Sequence, residues 1–340
     1  MNNDGGCTLE TCPLAMATVH YDPSLWGNTF YLTYFAAILL IQAVQAWQYK
    51  TWSFSIAVVS GLVLEVVGYG ARIQMHYNPF DANPFLIYLV CLTIAPVFFA
   101  AAIYLTLSRI IVHYGVNYSR LTPKRISITF MSCDFIALVL QAAGGAIADT
   151  ANTKKDSDTG THIMVAGLAF QVLSLLAFIV ISCHYAWAVI RLRRGIDVIV
   201  NDSRRYLKAL HLDRRSTMQF NFFLVGLSFA TICILIRSSF RVAELSKGFD
   251  SKLANEEVPF MILEGAMIVL SVTMFTIFHP GDVLGNEWKD SGWSSKKDNE
   301  NCDSDAEQGI YDIYGRRDRF SLRRDVELKD RDIFLASFKV

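Results

Sequence analysis

The chain has 340 residues, of which 53% are hydrophobic, 13% aromatic and only 18% charged, and its mean hydropathy is +0.32. A soluble protein of this size carries about a quarter charged residues, so the composition excludes an ordinary soluble protein. The formal net charge is zero, which gives no indication of a nucleic-acid partner.

Seven apolar runs are each long enough to cross about 30 Å of hydrocarbon at roughly 1.5 Å per residue. They predict an all-α integral membrane protein with seven transmembrane helices. We expect the helices to cover residues 29–49, 53–72, 85–111, 126–148, 163–190, 218–241 and 258–278.

Lysine and arginine are distributed unequally between the two alternating sets of loops, with twelve in one set and four in the other. The richer set of loops faces the cytosol in most membrane proteins. This places the N-terminus outside and the C-terminus in the cytosol. The twelve residues are Lys50, Arg120, Lys124, Arg125, Arg191, Arg193, Arg194, Arg204, Arg205, Lys208, Arg214 and Arg215.

The two ends of the chain differ from the apolar middle. Residues 1–28 are predicted to form an extracellular segment, and they lack the apolar core of a cleavable signal peptide. Residues 29–284 then form the transmembrane domain. Residues 285–340 are rich in charged and small polar residues and predict a disordered cytosolic tail.

The second apolar run contains four residues that share one helical face: Glu65, Gly68, Tyr69 and Arg72 lie at positions i, i+3, i+4 and i+7. Ionised groups inside a membrane cost several kcal/mol unless they are paired or hydrated, so such residues are candidates for function. An internal Glu–Arg tie that only fixes helix packing is the alternative interpretation.

Other spans also carry polar residues with helical spacing. In the predicted orientation most of the charged ones lie in the outer half of the membrane, and Asp134 lies in the inner half. They indicate a hydrated, substrate-binding pocket that opens outward, although each polar residue could instead bridge helices. The candidate residues are Glu65, Tyr69, Arg72, Asp134, Gln141, Gln171, Arg237, Arg241, Glu244, Glu257 and Glu264.

Several motifs are missing from the sequence. It contains no Gly-x-x-x-x-Gly-Lys-Ser/Thr loop, so we expect no ATP hydrolysis by this chain. It also lacks a His-Glu-x-x-His motif, a cysteine–histidine set with metal-ligand spacing and a Gly-x-Ser-x-Gly elbow. We therefore expect no enzyme activity, no cofactor and no metal site.

Seven short motifs, taken in order, resemble the fungal lipid-translocating exporter (RTA-like) family of seven-span membrane proteins. The resemblance runs from Tyr21 to Leu284. The motifs are Tyr21-Asp-Pro-Ser with Asn28, Glu65-x-x-Gly-Tyr-x-x-Arg72, Leu92-x-x-Ala-Pro96 with Tyr104, Asp134 with Gln141-x-x-Gly-Gly145, Gly167-x-x-x-Gln171, Arg237-x-x-x-Arg-x-x-Glu244 and His279-Pro-Gly281.

The resemblance implies a plasma-membrane protein linked to lipid movement and to resistance against toxic amphiphiles, including sphingoid long-chain bases. Its partners would then be membrane lipids and an amphiphilic small molecule. For such an amino-lipid, Glu65, Asp134 and Glu264 would accept the ammonium head while the chain stays in the bilayer. The arginines would keep the carboxylates ionised or bind an anionic head.

Two other functions remain open from the sequence. Seven spans, an outer N-terminus and a basic third cytosolic loop also describe a receptor or stress sensor for lipid-like ligands. The chain lacks the Asp/Glu-Arg-Tyr and Asn-Pro-x-x-Tyr signatures of the common receptor class. A scaffold in which every intramembrane charge serves packing is the remaining alternative.

Overall fold

The structure is a computed structural model that describes residues 23–114, 123–151, 153–201, 214–246 and 257–284. These residues form helices and short connections, and no strand occurs among them. The predicted tail at 285–340 and most of the predicted extracellular segment lie outside the described residues.

Seven helical units in this part of the chain are long and apolar enough to cross a membrane, which confirms the predicted number of spans. The seventh is continuous but changes its hydrogen-bonding pattern within the span. The elements are α1 (Leu25–Tyr49), α2 (Trp52–Tyr77), α3 (Ala82–Tyr114), α4 (Pro123–Thr150), α5 (Lys154–Asn201), α6 (Arg214–Ser246), α7 (Glu257–Phe260), a π-helical segment (Met261–Ala266), α8 (Met267–Ile277) and α9 (Pro280–Leu284).

The helices extend beyond the predicted apolar runs. The largest difference is at α5, which begins at Lys154 rather than at residue 163. Thr153 caps this helix, because its hydroxyl accepts from the Asp156 backbone N–H at 3.3 Å and donates to the Asp156 carboxylate at 2.7 Å. Hydropathy detects only the part of a helix that suits hydrocarbon, so charged helical ends were predicted as loop.

Short connections make successive helices antiparallel, so the start of α1 lies at the same end of the bundle as the end of α2 and the start of α7. Contacts confirm this arrangement: His76 Nδ1 lies 2.9 Å from the Pro23 carbonyl oxygen, and the Ser24 N–H donates to the Glu257 carboxylate at 2.6 Å. We call this end of the bundle proximal, and the end at which α1 finishes distal.

Helix α2 is the most buried of the seven spans. Its Tyr69 ring packs against Tyr31 and Phe35 of α1, with ring centroids 5.1 and 5.5 Å apart. Large apolar side chains such as Phe135 and Leu173 point outward, as expected where hydrocarbon rather than water surrounds a helix. The interior face of α2 is therefore where polar residues meet other helices.

Candidate functional site

The polar face of α2 points into the bundle, as its spacing predicted. Arg72 reaches α1, where its Nε donates to the Asn28 side-chain oxygen at 2.9 Å. Its guanidinium carbon also lies 3.9 Å from the centre of the Phe260 ring and 5.1 Å from that of Tyr88. Glu65, one helical turn from Tyr69, lies within electrostatic range of charged groups on α6 and the π-helical segment.

The central contact joins α6 to the seventh span. Arg237 Nη2 donates to Glu264 Oε1 at 2.5 Å, and both side chains are about 2% exposed. Glu65 interacts electrostatically with this same pair. One buried guanidinium therefore binds Glu264 directly and lies within electrostatic range of a second acidic residue, Glu65.

A π-helical segment carries Glu264 into this position. Its turns are wider than those of an α-helix, and such segments occur frequently at functional sites. The carbonyl of Met261, its first residue, accepts from the Tyr31 hydroxyl at 2.7 Å. Gly265 leaves the space for two rings, because a Cβ atom here would lie 2.6 Å from Tyr31 Cζ and 2.8 Å from the Tyr69 hydroxyl.

Pro96 explains a second contact of Arg237. In an α-helix the N–H of residue 96 would donate to the carbonyl of Leu92, but proline has no N–H. The Leu92 carbonyl instead accepts a hydrogen bond from Arg237 Nη2. A proline inside α3 thus provides a main-chain acceptor for an arginine of α6.

Arg241 and Glu244 extend the arrangement toward the proximal end. Their side chains form an ion pair of 2.7 Å within α6, and Arg241 Nη2 lies 3.5 Å from the Thr93 hydroxyl of α3. Both also interact electrostatically with Glu264. We call this set the charge network; its members are Glu65, Arg72, Arg237, Arg241, Glu244 and Glu264.

The charge network combines three carboxyl and three guanidinium groups among the described residues, and each residue is at most 6% exposed. The sequence predicted a pocket that opens outward, whereas these side chains are closed off from solvent in this conformation. Within the described part of the chain, the Tyr69 hydroxyl, Glu264 Oε2 and Arg237 Nε are buried without a hydrogen-bond partner. The network therefore retains capacity for further hydrogen bonds.

Five predicted residues are not members of this network. Tyr69 lies beside it on the buried face of α2, and the other four form separate contacts. Asp134 of α4 lies in the distal half, where its Oδ2 accepts from the Tyr104 hydroxyl at 3.0 Å. Gln141 donates to the side-chain oxygen of Gln171 at 3.0 Å and ties α4 to α5. Glu257 accepts from the backbone at the start of α1. The structure thus places the eleven candidates in one network and separate contacts, not in a single pocket.

Sequence reasoning overlooked residues that support the charge network. Asn28, Tyr88 and Phe260 surround Arg72, and the main chain of Leu92 binds Arg237. Asn28, Leu92 and Pro96 belong to the motifs of the family resemblance, although none was a candidate site residue. Pro96, four residues after Leu92, also gives a physical signal because it frees that carbonyl. No group of three or more possible metal ligands occurs among the described histidine, cysteine, aspartate and glutamate residues.

Comparison with known proteins identifies relatives of this chain. Residues 58–287 match the family described as "RTA1 like protein". The sphingoid long-chain base transporter RSB1 of Saccharomyces cerevisiae is 33% identical over 276 residues, covering 76% of this chain and 72% of the relative. No solved structure matches the chain.

Two further relatives from Saccharomyces cerevisiae are more distant. Protein RTM1 is 26% identical over 238 residues, covering 70% of each chain. Protoporphyrin uptake protein 1 is 28% identical over 228 residues, covering 67% of this chain and 68% of the relative. With the family match and the seven membrane-spanning helices, these similarities confirm the resemblance inferred from the motifs. The chain belongs to the RTA1-like family of fungal integral membrane proteins.

Proposed function

We propose that this chain is a membrane transporter of lipid-like molecules that exports sphingoid long-chain bases or toxic amphiphilic drugs and so confers resistance to them. The export is ATP-independent and flippase-like. Its relatives are named as transporter and uptake proteins, and the sphingoid-base transporter is 33% identical to it. We assign no catalytic residue.

The observation that carries this proposal is the buried charge network. Burial of three carboxyl and three guanidinium groups inside a membrane costs free energy. Ionisable groups in such positions mark ion or substrate pathways. A lipid with an ammonium head would compete with Arg237 for Glu264 and Glu65. The Tyr69 hydroxyl, which has no partner among the described residues, would bind a hydroxyl of the same head group.

Replacing Glu65 with glutamine tests this assignment. In liposomes that contain only the purified protein and no ATP, the wild type is expected to accelerate transbilayer movement of a fluorescent sphingoid base. The Glu65→Gln variant should lose about tenfold or more of that acceleration, because hydrogen bonds to charged groups contribute enough to change affinity by this factor.

Asp156→Asn is the matched control, because it also removes one carboxylate, but from an exposed position at the start of α5. It should transport like the wild type. Folded wild-type protein that moves no sphingoid base would contradict the proposed function. Normal transport by a folded Glu65→Gln variant would contradict only the assigned site.

We further propose an outer N-terminus and a cytosolic tail at 285–340, following the excess of lysine and arginine in alternate loops. Residence in the plasma membrane is proposed from the resemblance to the family. The proximal end of the bundle then faces outward. An epitope tag at the N-terminus should bind antibody on intact cells, and a C-terminal tag only after permeabilisation. The reverse pattern would place the charge network in the inner half of the membrane.

A receptor or sensor for lipid-like ligands is the second candidate. The observation that favours it is the closure of the charge network, since ion pairs buried inside the bundle can also hold one state of a switch. Ligand-dependent recruitment of a cytosolic protein without lipid movement in liposomes would favour this candidate over export.

A further inference from the structure

A cavity of about 330 Å³ lies between α2, α3 and α4, in the distal half of the bundle and apart from the charge network. Side chains from all three helices line it, and Ser53 and Asp134 are their only polar members. Its volume falls at the lower end of the range for small-molecule sites, roughly 300–1,000 Å³. It is therefore large enough for part of a small ligand.

The cavity opens toward the side of the bundle. Ile56 and Phe135, which line it, are 63% and 66% exposed, so they face the surrounding hydrocarbon. Ala57 and Asp134 are buried and form the inner wall. A molecule dissolved in the lipid can thus enter without crossing water.

Asp134 gives the inner wall a specific chemistry. One carboxylate oxygen accepts from Tyr104, and the Ser174 hydroxyl of α5 lies near enough to interact with the same carboxylate. Oδ1 is buried and has no hydrogen bond of normal geometry among the described residues, so it can still accept from a ligand. No ion pair with Asp134 occurs in the described part of the chain. Arg109 donates to Ser53 Oγ at 3.3 Å, at the distal margin of the lining.

A carboxylate at the end of an apolar cavity selects a particular kind of ligand. It repels anionic heads and binds a cationic donor, and charge-assisted hydrogen bonds are the stronger kind. The apolar lining from Ile56, Ala101 and Phe135 suits one alkyl chain that continues into the bilayer. A cavity of this volume is too small for the paired chains and large head of a phospholipid.

We propose that this cavity is a lateral entry site in which Asp134 binds the ammonium head of a single-chain amphiphile that arrives from the lipid. The site is separate from the charge network, and binding here requires no transport. In the orientation proposed above it faces the inner half of the membrane. An exporter would collect its cargo there before release at the proximal end.

Photo-crosslinking of protein in liposomes tests the site directly. The probe is a long-chain primary amine with a diazirine on its alkyl chain, and the corresponding long-chain alcohol is the neutral comparison. Labelled residues are identified by mass spectrometry. We expect the amine to label the cavity lining at Ile56, Ala101 or Phe135 and the alcohol to label it weakly.

Two variants separate the head-group contact from the chain contact. Asp134→Asn keeps an oxygen for the Tyr104 hydroxyl but removes the charge, so labelling by the amine should fall about tenfold. Ala101→Leu fills the cavity and should reduce labelling by amine and alcohol alike. Val139→Leu, which adds the same kind of group on the outward face of α4, should change neither.

Absence of amine labelling at the cavity lining, or labelling there that persists in Asp134→Asn, would overturn the proposal. Unfolding in detergent is measured for each variant and identifies a variant that has lost its fold. If Asp134→Asn does not fold, loss of labelling in Ala101→Leu tests the cavity independently. Labelling at the cavity by a protein that moves no lipid would uphold this site and contradict the export function.

Discussion

Replacing Arg237 with methionine is expected to abolish lipid movement and to lower the free energy of unfolding by about 3–5 kcal/mol. Arg237 is the ion-pair partner of Glu264, and Glu65 lies within electrostatic range of both. Without the Arg237 guanidinium, the carboxyl groups of Glu65 and Glu264 remain buried near each other, and the Leu92 carbonyl loses its hydrogen-bond donor. Denaturant unfolding in detergent and the liposome assay measure the two effects.

The double variant Arg237→Met with Glu264→Leu separates stability from function. Apolar replacement of a whole buried ion pair is often neutral, so the double variant should recover much of the stability. It should still fail to move lipid, because the carboxylate that we propose to bind the ammonium head is gone. Recovered transport would mean that the pair serves packing alone.

Arg125→Met is the control for loss of an arginine, because Arg125 lies exposed near the start of α4 and outside the charge network. It should retain wild-type transport and unfolding. If Arg237→Met unfolded at the same denaturant concentration as this control, the pair with Glu264 would contribute little to the fold.

Replacing Gly144 with alanine is expected to destabilise the bundle by at least about 3 kcal/mol, the upper part of the range for overpacking. At this point the backbones of α4 and α5 touch. A Cβ atom on Gly144 would lie 2.4 Å from the Met164 backbone nitrogen and 2.7 Å from the Gly160 carbonyl oxygen. Backbone atoms cannot move aside as a flexible side chain does, so the helices must separate.

The neighbouring Gly145 provides a matched control, because the nearest atom to its added Cβ is Met164 Sδ at 4.0 Å. Gly145→Ala should unfold like the wild type or slightly later, since alanine favours helix. Gly160→Ala should resemble Gly144→Ala, because its Cβ would lie 2.4 Å from the Ala148 nitrogen. Equal stability of the Gly144 and Gly145 variants would contradict the close approach of the two helices.

Part of the site follows from local spacing. Glu65, Tyr69 and Arg72 share a face because the helical period is a local property, and burial of that face follows from the cost of ionised groups in hydrocarbon. The antiparallel order of helices also placed Arg237, Arg241 and Glu264 near the same end. Pro96 predicts a free carbonyl at Leu92 for the same local reason.

The pairing of charges could not be predicted in this way. Spacing suggested a tie between Glu65 and Arg72, whereas Arg72 reaches Asn28 of α1 and Arg237 binds Glu264. Both contacts join different helices, and the second also depends on a π-helical turn. Hydropathy does not show which helices are neighbours or how each is rotated about its axis. Several pairings of the charged side chains were therefore equally compatible with the sequence.

The sequence by itself determined that this is a membrane protein with seven spans, which residues share each helical face and to which family the chain belongs. These properties depend on composition, on a fixed helical period and on short motifs. Only the tertiary structure decided that the charges close into one buried network and that Asp134 stands apart beside a lateral cavity. The physical reason is that helix packing, set by close contacts such as Gly144 against Gly160, selects which distant side chains meet.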